Sequence, residues 1–207
     1  IEVGAFTIMT YAIAYFGTLQ LASHQIVFQF LGIMITIVFA MSQAVTVRVG
    51  HAVGALNRDG VNYAIGVGMG VNACVMLLLA TILFLFPHWL ISLDINVHDE
   101  KNYRLVHQVT AIFHVVAFLM IFDNFRIIGF GALRGIKDTR FPMIASLIAF
   151  WVVGLSLGLI LGFVYNIQAT GIWIGMTIGI LSGALIILLR LKNRLRSIDL
   201  AKIRAIR

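Results

Sequence analysis

The chain has 207 residues, of which 61% are hydrophobic and only 11% charged, and its mean hydropathy is +1.02. Soluble domains sit nearer half apolar and a quarter charged, so this composition excludes one and marks an integral membrane protein. The formal charge of +7 would suggest a nucleic-acid partner in a soluble chain, but here Lys and Arg gather at the ends of apolar runs, so no nucleic acid is expected.

Taken in chain order, the apolar runs predict six membrane helices at about 1–18, 25–47, 61–86, 105–131, 142–164 and 169–189, each near the roughly 20 residues a span requires. The fold class is therefore all-α and polytopic. The first run starts at Ile1 with no basic segment or cleavage site before it, so no signal peptide is expected and the chain is expected to begin inside a helix. Glu2 stands at its start: an interfacial charge if the helix begins here, an intramembrane one if the helix continues upstream. The second run opens on His24 and Gln25. The third carries Cys74, the single cysteine, which excludes an internal disulfide and is expected to be a small buried core residue. Gly66, Gly68 and Gly70 lie in this apolar helix with no strand before them, so they do not make a nucleotide-binding loop. Pro87 ends it.

The fourth run holds Asp123, Asn124 and Arg126, and stops in the basic turn Arg134-Gly-Ile-Lys-Asp-Thr-Arg140. Pro142 opens the fifth, where its missing N–H is an orphan in any case. The last two runs carry glycine at every fourth position: Gly154, Gly158 and Gly162, then Gly171, Gly175, Gly179 and Gly183. That spacing stacks glycines on one helix face and lets another backbone approach closely, so these two helices are expected to pack on each other or on a neighbour, the alternative being a glycine face that lines a substrate cavity. A basic tail, 190–207, follows. Arg48 and Arg58, the turn after the fourth run, and the tail place most Lys and Arg on one face, which is therefore expected to be cytoplasmic, with the C-terminus on that side.

An ionisable group at membrane depth costs several kcal/mol and usually marks an ion or substrate pathway. Asp123 is the leading candidate. Arg126 is one helical turn away, so the two can neutralise each other as a local structural pair. Asn124 offers either a cavity contact or an interhelical hydrogen bond. His24, His107 and His114 lack any metal spacing and read as core or interfacial hydrogen-bonding groups. No Ser/His/Asp or Cys/His arrangement with enzyme spacing is present, so the chain is not read as an enzyme and no cofactor is expected.

Four segments, Ala22-Ser-His-Gln-Ile26, Val47-Arg-Val-Gly-His51, Gly131-Ala-Leu-Arg-Gly-Ile-Lys-Asp-Thr139 and Gly171-Ile-Trp-Ile-Gly175, taken in order across the six runs, resemble the multidrug and toxic compound extrusion (MATE) family. The bacterial NorM-like branch is the nearer likeness. The resemblance implies that residues 1–207 are the C-terminal lobe of a twelve-helix transporter, helices seven to twelve, with the N-terminal lobe of the same protein as the missing partner. It implies that Glu2 and Asp123 form one acidic cluster for the coupling cation, Na⁺ or H⁺, and that Gln25, Asn124 and Arg126 face the substrate cavity. Leu119 and Ile35 stand where the family carries aromatics, and Arg126 where it often carries Gln; a guanidinium there competes for the carboxylate.

The function so implied is cation-coupled antiport of organic cations and drugs across the bacterial inner membrane by alternating access, surrounded by membrane lipid. Three alternatives stand beside it. One is a lipid-linked oligosaccharide flippase of the same superfamily, which would need several basic residues in its cavity where only Arg126 lies within a span. Another is a membrane-embedded enzyme, which would need a nucleophile or a His/Asp pair at one interface. The third is a structural or assembly subunit in which Asp123 merely pairs with Arg126.

Overall fold

A computed structural model describes residues 1–197. Among these residues the regular structure is helical throughout, as hydrocarbon demands of any open chain, because a helix satisfies every backbone N–H and C=O within its own segment. The helices are α1 (Glu2–Ala14), α2 (Thr18–Gly54), α3 (Arg58–Leu85), the short α4 (Pro87–Ile91), α5 (Tyr103–Gly135), α6 (Arg140–Val164) and α7 (Gln168–Arg196). Five of them, α2, α3, α5, α6 and α7, are long and apolar enough to cross a membrane. The expected run 1–18 differs: α1 has 13 residues, about 20 Å at 1.5 Å per residue, against a hydrocarbon core of about 30 Å. It stops at Ala14 because Gly17, at φ 103°, takes a backbone conformation that no helix continues through.

The other helices overrun their apolar stretches. Arg48, expected in a loop, lies inside α2, Arg58 opens α3, and Arg190, Lys192, Arg194 and Arg196 belong to α7. Hydropathy locates the hydrocarbon crossing, whereas the helix continues into the interface on residues such as Lys and Arg that favour it. The remaining basic residues of the tail, Lys202, Arg204 and Arg207, lie outside the described residues. Cys74 corrects another expectation: it is exposed on α3 rather than buried. The outer surface of a membrane helix is as apolar as the core, so hydropathy cannot tell the two apart.

At the centre stands α5, packed against α2, α3 and α7, while α6 lies along α7. The glycine ladders meet as expected. A Cβ on Gly175 would collide with the backbone of Gly158 and Leu157, and one on Gly179 with Gly154 and the carbonyl of Ala149. Within α6 the stretches Ile148–Leu155 and Ile160–Val164 are π-helical. At 3.6 residues per turn, glycines four apart drift by about 40° per step, and wider π turns cancel that drift. Gly154, Gly158 and Gly162 therefore hold one straight seam against α7.

At one end, α5 closes with Lys137 at φ 61° and Asp138 N donating to Leu133 O at 2.9 Å, the hydrogen bond of a Schellman motif. This aims the Asp138 carboxylate at α7, where Oδ2 accepts from Arg190 Nε at 2.9 Å and Arg194 Nε at 2.7 Å.

Candidate functional site

The site grows from Arg126 on α5, whose side chain is 2% exposed. Its Nε donates to Asp123 Oδ1 at 2.5 Å, one turn earlier on the same helix, and its Nη1 donates to Glu2 Oε1 on α1 at 2.6 Å. The ring of Phe150 on α6 lies 4.9 Å from Cζ, close enough for a cation–π contact. A lone buried charge is too costly to keep, and here each charge has a partner with good geometry. The local pair of Asp123 and Arg126 thus exists, but it is one half of an acid–base–acid cluster. Glu2, at the start of α1, reaches across to α5 and is partly buried in the cluster.

Exposure within the cluster is uneven. The Glu2 side chain is 28% exposed and that of Asp123 only 3%. Glu2 and Arg126 both border a cavity of about 640 Å³ among α1, α2, α5 and α6, and Asp123 lies behind them, off its wall. One face of α2 supplies Phe28, Leu31, Ile35, Phe39, Ser42 and Gln43, while α1 adds Phe6, Thr7 and Thr10. Phe130 and Arg134 extend the wall along α5, the Arg134 guanidinium lying 5.0 Å from the Phe130 ring. Apart from Glu2, Arg126 and Arg134 the lining is largely aromatic and aliphatic with a few hydroxyls and one amide. Such a surface suits an apolar body carrying a charge.

The remaining sequence-selected residues lie elsewhere. Gln25 is exposed on α2 and does not border this cavity; Gln43 does. Asn124 is fully buried and accepts from Asn72 Nδ2 on α3 at 2.5 Å, an interhelical bond away from the cavity. Leu119 is buried and does not border the cavity, whereas Ile35 does. His24 is a core histidine. Thr10 Oγ1 gives its proton to Phe6 O at 2.9 Å, so it must accept from His24 Nε2, also at 2.9 Å, while the imidazole stacks on Phe28. Among the described residues no three His, Cys, Asp or Glu side chains converge in the manner of a metal site.

Sequence reasoning missed Phe28, Phe39, Gln43 and Phe130. The signal for three of them was there: residues 28, 31, 32, 35, 39, 42 and 43 recur at helical spacing along one face of α2. What periodicity lacked was a reason to choose that face over the others.

The family model MatE matches residues 1–160. A probable multidrug resistance protein NorM of Deinococcus radiodurans is 35% identical over 196 residues, covering 95% of this chain and 44% of that protein. Its counterpart in a Synechococcus species is 36% identical over 180 residues, covering 87% of this chain and 39% of that protein. In fold, the chain is similar to a MATE solved in complex with MaL6, with a TM-score of 0.84 at 18% identity over 97% of this chain and 44% of the other. It is also similar to an inward-facing multidrug resistance MATE family transporter of the MOP superfamily, with a TM-score of 0.82 at 17% identity, covering 96% and 44%. The chain thus spans less than half the length of the relatives it matches. By family model and by relatives of more than 30% identity alike, the chain belongs to the MatE family.

Proposed function

We propose that this chain is the C-terminal lobe of a bacterial inner-membrane exporter that expels organic cations and drugs in exchange for Na⁺ or H⁺. The observation that carries the reading is the Glu2–Arg126–Asp123 cluster, inside a helical bundle, opening on a largely apolar cavity. In a transporter of two lobes, the missing lobe supplies the opposite wall of that cavity, and rocking of one lobe against the other exposes the cluster to each side in turn. Glu2 and Asp123 hold the coupling cation, and its binding favours the state with weaker drug affinity, which is how an ion gradient drives release. Of the residues selected from sequence for the substrate site, Arg126 is the one on the cavity wall, and it adjusts that site. The names of the curated relatives, multidrug resistance proteins, support export of small molecules rather than enzymatic chemistry.

A flippase for a pyrophosphate-linked lipid fits less well. Arg126 is already spanned by two carboxylates, which leaves Arg134 as the other basic residue on the cavity wall. Dye efflux from cells expressing the full-length gene, with and without an imposed Na⁺ or pH gradient, tests the proposal. Efflux that follows one of the gradients is expected, and efflux indifferent to both gradients contradicts cation coupling.

A further inference from the structure

Two carboxylates and one guanidinium share the cluster, so with all three ionised it carries a single formal negative charge. Arg126 cannot escape by losing its proton, because a guanidinium stays charged in any protein environment. Nor is it free to swing. Phe150 stacks on its guanidinium, both carboxylates hold its nitrogens, and the missing side chain of Gly183 makes room for its stem, since a Cβ there would lie 3.3 Å from Arg126 Cδ. Arg126 also lies on the cavity wall with Asp123 behind it, so a cation entering the cavity meets Glu2 and the guanidinium before it reaches Asp123.

We infer that Arg126 is a built-in counter-cation that sets the charge specificity of the cavity: it admits one monovalent cation and rejects dications. The inference rests on the reading of this cluster as a cation site and adds its valence rule. In a buried, weakly screened site, a monocation brings the cluster to neutrality, whereas a dication leaves one uncompensated positive charge beside the guanidinium. Glutamine at the same place would leave two carboxylates unopposed and remove the reason to reject a second charge.

The test is equilibrium binding of tetraphenylphosphonium, a lipophilic monocation, and methyl viologen, a dication, to the purified full-length protein. The parent should bind methyl viologen at least about tenfold more weakly than tetraphenylphosphonium, and Arg126→Gln should strengthen methyl viologen binding by about tenfold or more while changing the monocation less. The double variant Arg126→Gln with Glu2→Gln restores one net negative charge and should again reject the dication. Should Arg126→Gln alone fail to fold, that double variant decides, and tighter methyl viologen binding by it than by the parent would overturn the inference. An unchanged ratio of the two affinities in Arg126→Gln, with both weakened by Asp123→Asn, would overturn the role of Arg126 and leave the cation site standing. Binding of neither probe by any variant would overturn the cation site itself, and the valence rule with it.

Discussion

Gly175 of α7 rests on the backbone of Gly158 of α6, with no space for a side chain between them. Close backbone contact of this kind replaces the hydrophobic drive that lipid cannot supply. Gly175→Val should therefore destabilise the bundle by about 1–3 kcal/mol or more, since the obstructing atoms are main chain and cannot rotate away. Gly70 on α3 is the control: it faces open space, and Gly70→Ala should be neutral or stabilising. Thermal unfolding in detergent separates the two, and equal effects would mean that the seam contributes nothing.

Asp138 ties the turn after α5 to α7. Burial alone would push its carboxyl up, but hydrogen bonds from Arg194 and Arg190 outweigh that and hold it below the usual carboxylate value. A depressed folded-state pKa means that the stabilisation is present above the unfolded value, about 3.9, and is lost only as pH falls from there through the lower folded value. Asp138→Asn should cost roughly 1 kcal/mol at neutral pH, a modest figure because both arginines are partly hydrated. The gap in melting temperature between parent and variant should stay flat from pH 8 to pH 5 and narrow below about pH 4. A gap that grows on acidification would contradict the pairing.

How much of this was legible beforehand varies with the kind of contact. The glycine seam was, because four-residue spacing is a local property of each helix and close packing needs nothing else. Asp123 and Arg126 were also legible, standing one turn apart on an apolar helix. The partner of Arg126 on α1 was not: Glu2 is 124 residues away in sequence, and no periodicity reports which helices a fold brings together. Gln25 was selected for the cavity where Gln43 borders it. The exposed face of α2 is as apolar as the face turned inward, so the amphipathic signal that orients a soluble helix is weak here. Cys74 was misplaced for the same reason.

Orientation in the membrane is testable at Ser197, an exposed residue just beyond α7. The excess of Lys and Arg beside it predicts a cytoplasmic location. With Cys74 replaced by serine, a Ser197→Cys variant of the full-length protein should react with an impermeant maleimide only after lysis. Labelling in intact cells would reverse the topology.

The central claim is that the buried Asp123 carboxylate carries the coupling cation rather than merely neutralising Arg126. Asp123→Asn separates these roles, because Arg126 keeps its second partner through Nη1 to Glu2 and the amide retains the shape of the side chain. The measurement is gradient-driven dye efflux by the full-length Asp123→Asn variant, read beside its expression level and melting temperature. Loss of gradient-driven efflux with near-normal expression and melting is the predicted result. Efflux equal to the parent's would remove Asp123 from the mechanism, and loss of the folded protein would make it a structural counter-ion instead.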